Sequence, residues 1–219
     1  MKAVDVLDFI DFSKYKSILC LDGDIPRSDF FLSKNLPIIA ADGAANRLYE
    51  MGIRPDFLIG DFDSVRPELL SYTPNSRSVD QNFSDFQKAI EYLKENELVP
   101  MITCGISGGY LDHIINNVGI IVQLPHGIFV DSSIIGFCLK KGEHRFSFPF
   151  NAKISIFGMP SCRISTTGLR WELNNSTLVF PGYSSCLNRV LSKKLLIKVI
   201  EGLALVTVYR SIIIDAGIE

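Results

Sequence analysis

The chain has 219 residues, of which 47% are hydrophobic and 21% are charged, and its formal net charge is −2. This composition excludes a disordered chain, and without any Lys/Arg-rich block a nucleic-acid partner is not expected. No apolar run approaches the roughly 18 residues of a membrane helix, and the acids in MKAVDVLDFIDF make a poor signal peptide. We therefore expect a cytoplasmic protein without membrane contact.

The five cysteines are scattered along the chain and form no CxxC pair. An odd number without metal-type spacing argues against a disulfide framework and against a zinc site. Free thiols in a reducing compartment are the expectation.

The first half alternates short apolar runs with helical patterns, which predicts a mostly parallel sheet covered by helices. The predicted strands are 17–21, 37–41, 56–59, 77–79 and 100–104. Predicted helices cover 44–51 and 111–123, and a third is capped by Ser84 or Asp85. The apolar face of this third helix is formed by Phe86, Ala89, Ile90 and Leu93.

The second half, from about Gly127, consists of short β runs separated by turn residues. Strands are predicted at 171–173 and 177–180, and a tight hairpin at Glu201-Gly202 is predicted to join 195–200 to 203–209. The predicted architecture is an α/β N-terminal domain, residues 1–126, followed by a C-terminal antiparallel β-sandwich domain, residues 127–219.

Aspartates follow nearly every predicted strand of the first half. They are Asp22, Asp42, Asp61, Asp63, Asp80, Asp112 and, at the next helix, Asp85. A single aspartate at such a position is usually a turn or cap residue. Because the carboxyl ends of parallel strands share one sheet edge, the repulsion among these acids predicts a cation, and Mg²⁺ prefers such oxygen ligands.

The segment IGDFDSV, residues 59–65, is the sharpest candidate. In an extended segment the side chains of Asp61 and Asp63 would point the same way and could reach one metal ion or hold two that phosphate bridges. Ser64 can donate to a phosphate oxygen. The glycine-rich GISGG, residues 105–109, offers backbone N–H groups before a helix, which suits an anion.

These motifs, in this order, resemble the thiamine pyrophosphokinase family over nearly the whole chain. The matching segments are DGDIP (22–26), ADGAANRL (41–48), RPDFLIGDFDSV (54–65), DQNFSDFQKAI (80–90), GISGGYLDHIINN (105–117), TTGLRWEL (166–173) and SSCLNR (184–189).

The resemblance implies transfer of pyrophosphate from ATP to the hydroxyl of thiamine, giving thiamine diphosphate and AMP, with Mg²⁺ as cofactor. It implies an N-terminal domain that binds ATP and magnesium and a C-terminal domain for thiamine binding and dimerisation. It also implies a homodimer with active sites at the subunit interface, between the α/β domain of one subunit and the β domain of the other.

The resemblance assigns site residues by position. The family's metal and catalytic carboxylates match Asp61, Asp63 and Asp85, of which Asp63 or Asp85 is the candidate proton acceptor. Substrate positions match Gln81, Trp171, Ser185 and Asn188. The positions on the ATP and phosphate side are Asp42, Ser64, Ser84, Lys88, Gly108, Gly109, Asp112 and His113. His113 could equally be a structural histidine.

The chain departs from the family pattern at four places. Asp22 replaces asparagine, Ala44 replaces the second glycine of DGGA, and Tyr110 replaces an arginine that would donate to phosphate. The STSN stretch reads Ser185-Cys186-Leu187-Asn188, with two hydroxyl groups lost. Two alternatives therefore stay open: a diphosphokinase for another heterocyclic alcohol, such as a pterin, and a non-catalytic protein that binds thiamine or thiamine diphosphate.

Overall fold

The structure, a computed structural model, describes residues 5–80 and 82–210, and Gln81 lies outside the described residues. The chain forms two compact units. Residues 12–132 form one, which we call the α/β unit, and residues 5–11 and 133–210 form the other, which we call the β unit. The separate roles predicted for domains 1–126 and 127–219 stay predictions.

The α/β unit contains six parallel strands in the order β6-β5-β1-β2-β3-β4. The strands are β1 Ser17–Cys20, β2 Ile38–Ala41, β3 Phe57–Gly60, β4 Asn75–Arg77, β5 Met101–Cys104 and β6 Ile128–Val130. The helices are α1 Ser28–Lys34, α2 Ala44–Glu50, α3 Pro67–Tyr72, α4 Asp85–Glu95 and α5 Leu111–Ile121. The parallel α/β architecture predicted for the first half is confirmed.

The apolar strands form the core of this unit, since every residue of β1, β2 and β5 is buried. Helix α4 begins as predicted. Ser84 is its N-cap, and a reciprocal pair of hydrogen bonds joins Ser84 to Gln87. Its predicted apolar face is buried. Helices α1 and α3, of seven and six residues, were not predicted, and neither N-cap side chain bonds the helix.

The β unit contains a 3₁₀ turn, Val6–Phe9, and six strands, with no α-helix in residues 133–210. The strands are β7 Ile134–Leu139, β8 Gly142–Phe146, β9 Lys153–Thr167, β10 Ser176–Val179, β11 Ser185–Arg189 and β12 Leu195–Tyr209.

The two long strands β9 and β12 pair with each other and belong to both antiparallel layers of the unit. In one layer they pair with β7 and β11. In the other layer they pair with β8 and β10. Phe137 of β7 contacts Phe146 of β8, with ring centroids 5.3 Å apart, so side chains of the two layers meet in the core. The predicted antiparallel β-sandwich is confirmed.

Two local predictions in this unit are wrong. Glu201-Gly202 is not a hairpin turn but lies in β12, at an irregularity in its pairing with β9. A Cβ at Gly202 would lie 2.2 Å from the carbonyl oxygen of Ser161, so the glycine allows a close approach between strands. Residues 171–173 form no strand; they belong to the connection between β9 and β10.

None of the helices in the described part of the chain is long and apolar enough to cross a membrane.

Candidate active site

Carboxylates gather where strands of the α/β unit end. Asp42 follows β2, Asp61 and Asp63 follow β3, and Asp131 follows β6. Open parallel sheets bind ligands at this edge, beyond the carboxyl ends of the strands. The edge is therefore the place to look for a site in this unit.

Asp42, Asp61 and Asp63 form a carboxylate triad, with one oxygen of each lying within 4.8 Å of the others. The segment is a tight turn and not extended, since Phe62 has φ +65°. The backbone N–H of Asp63 donates to Oδ1 of Asp61 at 3.3 Å. The carboxylates of Asp61 and Asp63 do lie close together, as predicted, but a turn brings them together and not an extended strand.

Gly60 makes room for the third member of the triad. A Cβ at this position would lie 3.0 Å from Cβ of Asp42 and 3.2 Å from its Oδ1. Such contacts are tighter than side chains normally tolerate. Glycine at the end of β3 therefore lets Asp42 approach Asp61 and Asp63.

The negative charge of the triad is not balanced by hydrogen bonds to all of its oxygen atoms. Oδ1 of Asp42 is buried and has no hydrogen-bond partner among the described residues. Burial, followed by the charge of Asp85 and a smaller effect of Asp63, raises the pKa of Asp42 above its usual range. A buried, unpartnered carboxylate oxygen beside two further carboxylates fits a hard divalent cation bound by oxygen ligands.

Neighbouring elements hold the turn that carries Asp61 and Asp63. Asn46 of α2 donates to the carbonyl of Ser64 at 2.7 Å and accepts from the N–H of Arg66 at 3.0 Å. Arg77 donates to the carbonyl of Asp61 at 3.0 Å. The hydroxyl of Ser64 donates to Asp63 at 2.9 Å. Asn46 was not predicted as a site residue, although its place in ADGAANRL was a usable signal.

Asp85 stands beside the triad but is outside it. It opens α4 next to its N-cap Ser84, and its Oδ1 accepts a hydrogen bond from Nζ of Lys88 at 3.0 Å. Lys88 also donates to the carbonyl of Ser78 at 3.2 Å, and its side chain is only 8% exposed. The set of three grouped carboxylates thus contains Asp42, where the sequence-based metal set contains Asp85.

Other strand-end acids have local partners. Oδ1 of Asp80 accepts from the backbone N–H of Asn82 at 2.9 Å, which is a turn. Asp22, one of the departures from the family pattern, pairs with Nε of Arg47 at 2.6 Å. Arg47 therefore offsets the negative charge that Asp22 adds.

The GISGG loop is largely committed to one buried carboxylate. Asp131 accepts hydrogen bonds from the N–H groups of Gly105 at 2.9 Å, Ile106 at 3.1 Å and Ser107 at 2.8 Å, and from the Ser107 hydroxyl at 2.6 Å. Its side chain is fully buried, and burial, the largest effect, raises its pKa despite these hydrogen bonds. These three N–H groups bind the protein's own carboxylate and are therefore not available to a phosphate.

The end of the same loop is not bound by Asp131. A Cβ at Gly108 would lie 2.3 Å from the carboxylate of Asp24, whereas Gly109 has open space around it. Phosphate binding by Gly108 and Gly109 stays a prediction.

Tyr110, Asp112 and His113 lie at the exposed start of α5. Asp112 accepts from the backbone N–H of His113 at 2.9 Å, and the rings of Tyr110 and His113 meet edge to face at 6.1 Å. None of the three joins the carboxylate triad.

In the β unit, a loop between β9 and β10 presents Trp171, which is 55% exposed. The guanidinium carbon of Arg170 lies 5.0 Å from the centroid of the Trp171 ring. The indole ring thus has a cation on it, and Trp171 is the only tryptophan of the chain.

The other two substrate candidates of this unit lie in β11. The side chain of Asn188 is buried, and it bonds the backbone of Trp171 and the hydroxyl of Ser185. The structure therefore places Trp171, Ser185 and Asn188 together.

Two family models match the chain. The thiamin pyrophosphokinase catalytic domain matches residues 29–130, and the thiamin pyrophosphokinase vitamin B1 binding domain matches residues 141–203. The carboxylate triad lies in the first range, and Trp171 and Asn188 lie in the second.

Curated plant proteins are similar in sequence. A rice protein named thiamine pyrophosphokinase 3 is 29% identical over 188 residues, which cover 69% of this chain and 70% of the rice protein. An Arabidopsis thaliana protein named thiamine pyrophosphokinase 1 is 27% identical, with 83% of this chain and 82% of its own length covered.

Solved structures share the fold. Yeast thiamin pyrophosphokinase matches with a TM-score of 0.80 at 17% identity, covering 94% of this chain and 90% of the yeast chain. Thiamine pyrophosphokinase from Bacillus subtilis matches with a TM-score of 0.77 at 18% identity, covering 89% and 99%.

Proposed function

The chain belongs to the thiamin pyrophosphokinase family, and from this premise we infer that it transfers a pyrophosphoryl group from ATP to the hydroxyl of thiamine, which yields thiamine diphosphate and AMP. The observation that carries this function is the carboxylate triad of Asp42, Asp61 and Asp63 within the range of the catalytic-domain match. A carboxyl group whose pKa is shifted by burial and by neighbouring charges, as for Asp42, is typical of functional sites.

Mg²⁺ is the proposed cofactor, held by the triad, with Asp85 next to it. The buried Oδ1 of Asp42, which lacks a hydrogen-bond partner among the described residues, supports this assignment. When bound, the ion neutralises phosphate charge and orients the α- and β-phosphates of ATP. The protein's own contribution is to hold Asp61 and Asp63 in the turn fixed by Asn46 and Arg77.

Donors of the α/β unit are proposed to bind the phosphates. They are the hydroxyls of Ser64 and Ser84, Nζ of Lys88, the N–H groups of Gly108 and Gly109, and the α5 residue His113. Asp112, whose carboxylate accepts a hydrogen bond from the N–H of His113, is proposed to have a supporting role. In the reaction the thiamine hydroxyl oxygen forms a bond to the β-phosphorus. The bond between that phosphorus and the oxygen that bridges the α- and β-phosphates breaks, and AMP leaves with this oxygen. The hydroxyl proton passes to the carboxylate of Asp85 or Asp63.

The substrate's thiazolium cation is proposed to contact the ring of Trp171. The 55% exposure of this ring supports the idea, because an accessible indole face attracts cations. Ser185 and Gln81 are proposed to complete the thiamine side.

We also propose a cytoplasmic homodimer with active sites at the subunit interface. Its support is the exposed apolar side of α5, where Leu111 is 71% and Ile115 is 59% exposed. The cysteines form no disulfide in the described part of the chain, which fits a reducing compartment. Sedimentation analysis of the chain checks the dimer, and a monomer at micromolar concentration would contradict it.

An AMP-release assay over a panel of alcohols tests the function. Purified protein, ATP and Mg²⁺ should release AMP with thiamine and not with a pterin alcohol or without acceptor. The matched control is Asp80→Asn, a strand-end acid with only local contacts, which should behave as the wild type. AMP release with the pterin alcohol alone, or thiamine binding without turnover, would overturn the proposal in favour of one of the two alternatives.

A further inference from the structure

All hydrogen-bonding groups of the Asn188 side chain are used inside the protein. Its Oδ1 accepts from the N–H of Trp171 at 3.2 Å and from the N–H of Arg189 at 2.8 Å. Its Nδ2 donates to the carbonyl of Trp171 at 2.7 Å and to Oγ of Ser185 at 3.2 Å. An amide side chain has two donors and two acceptor positions, so Asn188 is saturated.

Burial leads to the same conclusion. Asn188 is 1% exposed, whereas Trp171 is 55% exposed. A ligand can reach the indole, but it finds neither surface nor a free polar group on Asn188. Asn188 can therefore affect a ligand only through the groups that it bonds, which include the backbone of Trp171 and the hydroxyl of Ser185.

We propose that Asn188 is a positioning residue, which fixes both peptide groups of Trp171 so that the indole meets the flat cationic substrate at a set place. This inference rests on the proposed function for the identity of the substrate. It replaces direct substrate contact, the role that the family pattern suggested for Asn188, with support of the Trp171 backbone.

Further bonds hold the loop around Trp171 and show that it is a built platform. The carboxylate of Glu172 accepts from the N–H of Gly168 at 2.6 Å, the N–H of Leu169 at 3.1 Å and the Thr166 hydroxyl at 2.7 Å. The N–H of Arg170 donates to the carbonyl of Arg189 at 2.8 Å. Asn188 is the side chain that bonds Trp171 itself on both sides.

Loss of these bonds should affect thiamine more than ATP. A displacement of about 1 Å in a substrate-positioning group can lower rates about 100-fold. We expect Asn188→Ala to raise the KM for thiamine at least about tenfold and to leave the KM for ATP within about twofold. Asn174→Ala, in the same loop but without a side-chain bond to Trp171, is the control and should match the wild type.

A double-mutant cycle separates positioning from contact. Because Asn188 also bonds Ser185, a proposed substrate residue, the cycle is run in a Ser185→Ala background. There, if Asn188 works through Trp171, adding Asn188→Ala to Trp171→Ala should change the thiamine KM less than about twofold. If Asn188 touches the substrate, the two changes should multiply, and that result would overturn the proposal. Should Asn188→Ala not fold, Asn188→Asp enters the same cycle, since it keeps the two acceptor contacts and removes the donors to Trp171 and Ser185.

Fluorescence gives a readout that needs no turnover, because Trp171 is the only tryptophan. Asn188→Ala should shift its emission and increase its quenching by acrylamide even without substrate. Unchanged emission and quenching would contradict positioning, whether or not the wild type makes thiamine diphosphate. Absence of AMP release by the wild type would instead remove the proposed function and leave this contact testable.

Discussion

Two loops at one edge of the parallel sheet are both predicted from sequence to bind a phosphate or its metal, and they differ in structure. Residues 61–66 follow β3, residues 105–109 follow β5, and both combine glycine or serine with groups suited to a phosphate or its metal. In the first loop, the carboxylates of Asp61 and Asp63 group with that of Asp42, whose Oδ1 is buried and has no hydrogen-bond partner among the described residues. In the second, the side chain of Asp131 binds three consecutive N–H groups.

The difference shows that the polar groups of a loop can bind a ligand only if no distant residue of the chain already binds them. Asp131 lies 24 to 26 residues away from the groups that it binds. We therefore assign the chemistry to the first loop and a structural role to the first three residues of the second. The following predictions test that division.

The largest expected effect is on catalysis in the first loop. Asp61→Asn and Asp63→Asn should each lower kcat by about 100- to 1,000-fold, because each removes a carboxylate proposed to hold the Mg²⁺ that neutralises the reacting phosphates. Neither should lower the free energy of unfolding, since each relieves repulsion within the triad. Steady-state assays and urea unfolding check both statements. Wild-type activity in both variants would mean that the turn has no catalytic role.

The second loop should respond in stability. Asp131→Ala leaves buried N–H groups without partners and should lower the free energy of unfolding by at least about 3 kcal/mol. Asp80→Ala, an exposed strand-end acid, is the control and should change it by less than about 0.5 kcal/mol. Urea unfolding measures both, and equal effects of the two substitutions would remove the distinction between a buried cap and a surface turn.

Substitution of one glycine in each region by alanine compares a crowded position, Gly60, with an open one, Gly109. Gly60→Ala should lower kcat about tenfold or more, because its Cβ would press on Asp42 at 3.0 Å and displace a triad member. Gly109→Ala meets nothing within 4 Å and should leave the melting temperature unchanged. A Gly60→Ala enzyme with normal kcat would show that the close approach of Asp42 is not needed.

The smallest expected effect concerns pH. The pKa of Asp42 is raised in the folded protein, so its contribution to stability is present below the unfolded value of 3.8 and is lost as pH rises through the folded value. In metal-free buffer, the stability of Asp42→Asn relative to the wild type should therefore increase between pH 4 and pH 7. Melting temperatures across this range give the sign, and a relative decrease would contradict the raised pKa.

Much of this site was accessible from sequence, for a local reason. Asp42, Asp61 and Asp63 each follow an apolar run, and parallel strands bring such positions to one edge. Asp131 follows the run Ile128–Val130 in the same way, but the local pattern places that run in the β-rich half and gives its carboxylate no role. The pairing of β6 with β5, through Thr103 and Phe129, is a long-range contact that no local pattern contains.

The β unit shows the same limit. The pattern around Glu201-Gly202 fits a hairpin locally, and only the pairing of β12 with β9 turns it into an irregularity within one long strand. Trp171 was found because it stands in GLRWEL. The role of Asn188 required the four hydrogen bonds of its side chain.

The central claim is that the carboxylate triad supports transfer of an intact pyrophosphoryl group. ³¹P NMR of a reaction with purified protein, ATP, thiamine and Mg²⁺ tests it most directly, with Asp63→Asn run in parallel. Thiamine diphosphate and AMP should appear in equal amounts with the wild type, depend on Mg²⁺, and be nearly absent with the variant. Formation of ADP with thiamine monophosphate, or equal yields from wild type and variant, would contradict the account.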